Sequence, residues 1–422
     1  MGGGGALLVP VASPIERCRL CNSRSFIRLL SLGEQHISDF LTAEGDTPVS
    51  PLELIRCKTC NLVQLKHTFP RDHLYRHYWY RSGISLTMRN ALEDIVLQAC
   101  KIAKPVSRDI AIDIGCNDGT LLRSYGIPGL RLIGFEPAKN LVEEARRGTE
   151  YVFNDYFGYD VFHRKFPDST AKIVTSIAMF YDLDDPNSFV SDVSKCLASD
   201  GVWIIQQNYL PTMLEQNGFD NVGHEHLTYY SLGTMTELLK RHGLEIFDVE
   251  RNEVNGGSFR TYIGHRGRFD VRDRVRELAR YEERLFARKP SIYETFEGEI
   301  KHIREQLRDF VVTRVKEGKS VYVYGASTRG NTILQYCSIG HDLIGKAADA
   351  NPEKWGLKTP GTEIPIVSKD EARRDKPDFF LLLPHHFLDE IVKEEEAYLK
   401  TGGKFIVPLP RFRIVPAKDP KN

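Results

Sequence analysis

Four of the eight cysteines come as two Cys-x-x-Cys turns, Cys18/Cys21 and Cys57/Cys60, in the matching frames Arg-Cys-Arg-Leu-Cys-Asn and Arg-Cys-Lys-Thr-Cys-Asn. One such turn aims two thiolates at a single centre, and two of them supply the four sulfurs of a closed tetrahedral zinc site. The neighbouring Arg and Lys favour the deprotonated sulfurs that a metal requires. Two disulfides or a redox pair are the competing readings. A redox motif seldom comes twice, and a reducing compartment disfavours disulfides. A zinc with all four positions filled by sulfur has no open site for catalysis. It holds together a segment, residues 14–82, that is too small to build a large core without the metal. Cys100, Cys116, Cys196 and Cys337 lie among apolar or mixed residues and read as buried free thiols.

The other 340 residues of the 422-residue chain (422 − 82) demand two or more further domains. Lys plus Arg and Asp plus Glu both number 57. This balance excludes the basic excess that a nucleic-acid or anionic-membrane surface needs. No apolar run reaches the roughly 18 residues of a transmembrane helix. Residues 1–13 carry four glycines and a short apolar patch but no basic start, and read as a flexible tail rather than a secretory signal. A cytoplasmic location is expected.

Apolar residues at helical spacing run from Leu86 to Ile102. Strands are predicted around 109–113, 131–135, 172–176 and 201–205, with helical stretches between them. Such alternation builds a parallel sheet covered by helices on both faces. Residues 269–318, rich in Arg and Glu, read as exposed helices linking two lobes. The β/α rhythm then restarts in residues 319–422, with strands predicted at 321–324, 379–383 and 404–407. The fold class is α/β, with a central Rossmann-like domain over 83–268 and a second Rossmann-like lobe at the C-terminus.

The first strand runs directly into Asp113-Ile-Gly115-Cys-Asn117-Asp118-Gly119 and a helical Thr-Leu-Leu. A strand, glycines and a helix N-terminus bring backbone close to a ligand. Glu136, 21 residues past Gly115, ends the next strand, where a carboxylate can accept from both hydroxyls of a ribose. A dinucleotide site wants Gly-x-Gly-x-x-Gly. This loop reads Gly-x-x-x-Gly, and the charge of Asp118 would repel a pyrophosphate. S-adenosylmethionine, with a cationic sulfonium and no phosphate, suits the acidic loop. Asp155, in Asn154-Asp155, is expected near the adenine.

The whole chain resembles the sugar C-methyltransferases of deoxysugar biosynthesis, which act on nucleotide-linked 4-keto-deoxy sugars. The resemblance rests on the four cysteines, on the Asp113–Gly119 loop, and on His224-Glu225-His226-Leu-Thr-Tyr-Tyr-Ser231. It rests also on Asn255-Gly-Gly-Ser258, Tyr324-Gly-Ala-Ser-Thr-Arg-Gly-Asn-Thr332, Asp349-Ala-Asn-Pro and Pro360-Gly-Thr-Glu-Ile-Pro-Ile. It implies a zinc domain, a class I S-adenosylmethionine domain and a C-terminal Rossmann-like lobe, with a nucleotide-diphosphate sugar as substrate. It makes His226 the expected base for removing a proton beside a ketone, with His224 beside it and Glu225 orienting it, stabilising its protonated form or acting as the base itself. Without the resemblance, His-Glu-His reads equally well as a loop and helix N-cap. Relatives that methylate C3 often carry a Tyr directly before this motif, where this chain has Gly223; Tyr229 or Tyr230 is the alternative phenol.

Tyr80, in Tyr78-Trp-Tyr80-Arg-Ser82-Gly, is a candidate contact to the sugar, with interdomain packing as the plain alternative. Asn255, Ser258 and Arg260 offer donors and a guanidinium for a diphosphate. Ser327 and Arg329, in a loop between strand and helix, are placed to meet an anion. The Gly-Lys-Ser/Thr ending of a P-loop is absent, so no ATP hydrolysis is expected. The readings left open are O- or N-methylation, an epimerase or isomerase that reprotonates the same enolate, and a non-catalytic nucleotide-sugar binder.

Overall fold

A computed structural model describes residues 12–37 and 47–416. The expected tail lies outside these residues as far as Val11; Ser13–Pro14, at its end, already forms a short strand against His67–Thr68. The central sheet has seven strands. From one edge they are Leu244–Asn252, Ser258–His265, Leu197–Asn208, Ala171–Ile177, Ile110–Ile114, Arg131–Phe135 and Tyr151–Phe153. All run parallel except Ser258–His265, which is antiparallel to both its neighbours. Every residue of Ile110–Ile114 is buried, as a strand covered on both faces requires. Leu86–Ala103 covers one face with Leu92, Ile95, Val96 and Ala99, capped by the Ser85 hydroxyl accepting from the Met88 N–H.

The C-terminal sheet has six strands in the order Ile366–Ser368, Ala347–Asp349, Val321–Tyr324, Phe379–Leu382, Lys404–Val407 and Arg413–Val415. Only the last is antiparallel to its neighbour. The order of the parallel strands reverses beside Val321–Tyr324, which opens a crevice at the carboxyl ends of that strand and of Phe379–Leu382.

Three features depart from the sequence reading. Residues 14–82 are not a run of short segments held by metal alone. A long antiparallel pair, Phe26–His36 and Val49–Cys57, dominates them. One side of that pair gives Leu30, Leu32, Leu52 and Leu54 to the core of the C-terminal lobe, while Cys18, Leu20, Cys57 and Leu62 join the core of the central domain. The segment gains its missing core by sharing those of its neighbours. Second, the expected solvated linker contains the 25-residue helix Ile292–Lys316, which buries Ile292, Phe296, Ile300, Ile303, Leu307 and Val311 along one stripe. Charge on the other face had hidden the stripe. Third, Thr228–Tyr229, just past His-Glu-His, is a strand that joins the N-terminal sheet beside Val63–Leu65. Its tie is non-local, so helical propensity said nothing about it. Among the described residues, no helix is long and apolar enough to cross a membrane.

Candidate active site

The four cysteine sulfurs of Cys18, Cys21, Cys57 and Cys60 all lie within 4.8 Å of one another. Cys18 and Cys60 approach to 3.6 Å, and Cys21 and Cys57 to 3.5 Å. Zinc–sulfur bonds of about 2.3 Å in a tetrahedron set sulfurs about 3.8 Å apart, so the cluster fits zinc. Gln64 Nε2 donates to the Cys18 sulfur at 3.2 Å, while its Oε1 accepts from the Arg19 backbone N–H at 3.2 Å. Gln64 stands opposite Thr228 in the strand pair. The metal site is therefore two residue contacts from the His-Glu-His loop.

At the glycine loop the expected acidic cradle is assembled. Asp113 is buried at the end of its strand, and the Thr175 hydroxyl donates to its Oδ1 at 2.6 Å. Burial, aided by the charge of Glu136, pushes the Asp113 carboxyl up to about 7. Glu136 accepts from the backbone N–H of Asn117 at 2.7 Å and of Ala138 at 2.8 Å, and burial raises it too to about 7. A carboxylate has about four lone-pair sites, so two remain for ribose hydroxyls. Gly119 has φ +80°, and a Cβ there would come within 2.9 Å of the Ala145 backbone, which is why the turn needs glycine. Asp118 accepts from the N–H of Thr120 at 3.1 Å and of Gly83 at 2.7 Å. These donors and carboxylates suit a cation bearing hydroxyls. Asp155 is exposed, accepts from the N–H of its neighbour Tyr156 and pairs with Arg76.

The aromatic segment runs from this loop to the His-Glu-His loop. Asn117 donates from Nδ2 to the Tyr80 carbonyl at 3.0 Å and accepts from Ser82 N–H at 2.9 Å. At the other end, the Tyr75 hydroxyl donates to the Glu225 carbonyl at 2.8 Å. Tyr80 itself is 45 % exposed.

His226 and His224 face different ways. His226 Nδ1 lies 2.6 Å from the Asn221 carbonyl. A carbonyl only accepts, so Nδ1 carries the proton and Nε2 keeps its lone pair free. Burial and the charge of Arg329 pull the ring down to about 4, which keeps it neutral at pH 7. Its ring meets Tyr181 edge to face, with centroids 4.5 Å apart. His224 turns away instead, buried against the N-terminal sheet with Nε2 3.1 Å from the Ser50 carbonyl. It positions the loop and is not grouped with His226. Burial raises Glu225 to about 7. Nothing crowds Gly223: a Cβ there would meet the Glu225 carboxyl at 3.7 Å, an ordinary contact. The Tyr229 hydroxyl donates to the Asn221 carbonyl at 3.3 Å, and Tyr230 is fully buried beside Phe180 with its hydroxyl unpartnered, so neither phenol is exposed.

Of the expected diphosphate contacts, Arg260, Ser258, Ser327 and Arg329 are engaged within the fold, while Asn255 gives only its backbone carbonyl to it. Arg260 is buried within its strand, with Nε on Gln206 at 2.8 Å and a guanidinium nitrogen on Asp94 at 2.7 Å. Ser258 donates to the Val254 carbonyl at 2.8 Å. Ser327 caps Thr328–Tyr336 by accepting from Gly330 N–H at 3.0 Å. Arg329 grips the buried Asp220 carboxylate at 2.6 and 2.9 Å and the Asn255 carbonyl at 2.7 Å. The position expected for an anion is thus filled by a carboxylate of the central domain. Residue type and spacing cannot reveal such internal partners.

The model of a zinc binding domain matches residues 18–75, that of a methyltransferase domain 85–249, and that of a C-methyltransferase C-terminal domain 253–410. The C-methyltransferase NovU of Streptomyces niveus is 30% identical over 418 residues, covering 97% of this chain and 99% of NovU. The chain belongs to the C-methyltransferase family. As an S-adenosylmethionine-dependent methyltransferase, it carries the methyl donor in the central domain and zinc in the four-cysteine cluster. Solved structures similar to this C-methyltransferase include an S-adenosylmethionine-dependent methyltransferase from Clostridium acetobutylicum, at 14% identity and TM-score 0.35, covering 42% of this chain and 92% of that one. Another is the plantazolicin methyltransferase BpumL in complex with SAH, at 11% identity and TM-score 0.34, covering 42% and 83%.

Proposed function

We propose that this C-methyltransferase acts on a nucleotide-linked 4-keto-deoxy sugar, methylating C3 beside the ketone. The observation that carries the reading is the tautomer of His226: Nδ1–H is spent on the Asn221 carbonyl, and Nε2 is left as a neutral, unprotonated acceptor. A carbon acid next to a ketone needs such a base; an oxygen or nitrogen nucleophile has no carbon-bound proton to lose. Bound S-adenosylmethionine would supply an electrophilic methyl, its sulfur keeping the electron pair of the broken methyl–sulfur bond. The residues of the chain do the rest. Nε2 of His226 takes the C3 proton, and the electron pair left behind moves toward the carbonyl oxygen and then forms the new carbon–carbon bond. The segment 75–83, fixed to both loops, holds the sugar and the donor in line, and orientation supplies much of the rate. Asp113, Asp118 and Glu136 hold the donor. The domain boundaries 14–82, 83–268, 269–318 and 319–422 remain our reading of the chain.

The test is incubation of 4-keto-6-deoxy nucleotide sugars in heavy water with and without S-adenosylmethionine, followed by fragmentation of the products. Expected are a methyl on C3 with the donor and deuterium at C3 without it. His226→Asn should lose about 10²- to 10⁴-fold in both. A methyl on oxygen or nitrogen with no exchange would overturn the reading, and exchange without methylation would make the enzyme an isomerase.

A further inference from the structure

The turn on which His226 rests is held from its far side by the C-terminal lobe. Phe219–Asn221 ends in the carbonyl that accepts from His226 Nδ1–H at 2.6 Å and from the Tyr229 hydroxyl at 3.3 Å. The same peptide unit gives its N–H, on Val222, to the Phe219 carbonyl at 2.9 Å. Residues on either side of Asn221 are gripped by the helix Thr328–Tyr336. Arg329 donates twice to the Asp220 carboxylate, at 2.6 and 2.9 Å. The Thr332 hydroxyl donates to the Val222 carbonyl at 3.1 Å, and the Tyr336 ring meets Phe219 edge to face, with centroids 5.3 Å apart. Positions 329, 332 and 336 follow the i, i+3, i+7 spacing of one helix face. Phe219, Asp220, Val222 and Thr332 are all buried, so little water competes for these contacts. The Asn221 side chain is fixed within the central domain, accepting from Asn208 Nδ2 at 2.5 Å and donating to the Gly218 carbonyl at 3.0 Å.

We propose that Arg329 and Thr332 are positioning residues for the His226 base: by holding Asp220 and Val222 they aim the Asn221 carbonyl between them, which keeps the imidazole proton on Nδ1 and Nε2 open to the substrate. The inference rests on the reading of His226 as base given above. A neutral imidazole carries its proton on either nitrogen, and the hydrogen bond made by one of them decides which. A carbonyl whose two flanking residues are anchored cannot swing away from the ring. Once the lobe lets go, the ring is free to protonate Nε2 instead, where the proton blocks abstraction from carbon. Arg329 and Thr332 act through the turn and touch no reacting atom. The C-terminal lobe is thus part of the catalytic apparatus through a turn of the central domain.

Thr332→Val removes the hydroxyl and nearly keeps the shape. Methylation with the donor and deuterium exchange at C3 without it should fall together, by about 10- to 10²-fold in kcat, while KM and the calorimetric affinity for S-adenosylmethionine stay at wild-type values. Thr332→Ser restores the hydroxyl and should restore kcat. Arg329→Lys keeps the charge but loses the two-pronged grip, and should lower kcat in the same way. Nitrogen NMR of ligand-free protein labelled at histidine, with the His226 signals assigned by their loss in His226→Asn, reads the tautomer directly. The wild type should show a protonated Nδ1 and a bare Nε2, and Thr332→Val and Arg329→Lys a mixture of the two forms. Gln335 supplies the control, because it ties the same helix to the N-terminal sheet, accepting from the His36 N–H at 2.7 Å and donating to the His36 carbonyl at 3.2 Å. Gln335→Ala should loosen the helix and leave the tautomer alone. A tautomer unmoved in both Thr332→Val and Arg329→Lys, or displaced equally by Gln335→Ala, would overturn the proposal. Exchange at C3 that persists in His226→Asn would instead sink the reading of His226 as base, so the two can fail separately.

Discussion

Two turns of the same make, strand into glycine into helix, lie at 110–120 and 321–330, and they differ in what their side chains do with the backbone amides. In the first turn, Glu136 and Asp118 accept from the amides of Asn117 and Thr120, and the surface that remains is acidic. In the second, Ser327 takes the amide of Gly330, and Arg329 reaches out to a carboxylate from the central domain. A helix N-terminus favours an anion in both cases. In each turn the chain supplies that anion itself. The first turn is left receptive to a cation with hydroxyls, and the second becomes an interdomain clasp. Backbone geometry alone therefore does not name a ligand; the charge left over after internal pairing does.

The clasp should give the largest effect. Asp220 has a side chain only 1% exposed, and although burial opposes ionisation, Arg329 and His385 hold its carboxyl well below the usual range. Arg329→Ala leaves that buried charge with only the His385 ring at 3.4 Å and should cost about 3–5 kcal/mol in denaturant unfolding. Calorimetric affinity for S-adenosylmethionine should stay unchanged in the folded variant; a loss of methyl-donor affinity with intact stability would show the second turn to be a ligand site after all. At the first turn, Glu136→Ala should weaken S-adenosylmethionine by about 2–4 kcal/mol, from two charge-assisted hydrogen bonds. Equal affinity in that variant would remove the ribose contact from the account. Thr175→Val deletes the donor to Asp113 and should cost about 1–2 kcal/mol of stability, read from the unfolding midpoint.

A further test separates the turns by the sign of their pH dependence. Asp113 and Glu136 titrate near 7 in the folded protein, above their unfolded values near 4. Between these limits the folded state holds more protons than the unfolded one, so stability should fall as pH rises from about 4 to 7 and then level off. Asp220 has the opposite shift, and its contribution should be lost only as pH falls below about 4. Asp113→Asn should flatten the neutral slope of the ligand-free protein and leave the acid one. A slope that Asp113→Asn leaves intact would place the titration elsewhere.

Much of the fold was legible in the chain. The parallel strands of the central sheet follow from buried apolar runs such as Ile110–Ile114, and the zinc cluster from cysteine spacing, because both are local patterns. The antiparallel pair at one side of that sheet, Leu244–Asn252 and Ser258–His265, was not read. Residues there alternate between two buried faces, and the Asn255-Gly-Gly turn joining them looked like a ligand loop.

By itself the sequence determined the metal and the class of methyl donor, since each depends on residue types at short spacing; the base was read from the family resemblance. Tertiary structure decided which way each side chain is spent. It turned His224 toward Ser50 and His226 toward Asn221, buried Arg260 on Asp94, and closed Arg329 on Asp220. Those partners lie between 5 and 174 residues away in the chain. A charged or hydrogen-bonding group acts by what remains unpaired after folding, and for all but the nearest of these contacts that remainder is set by elements no local pattern connects.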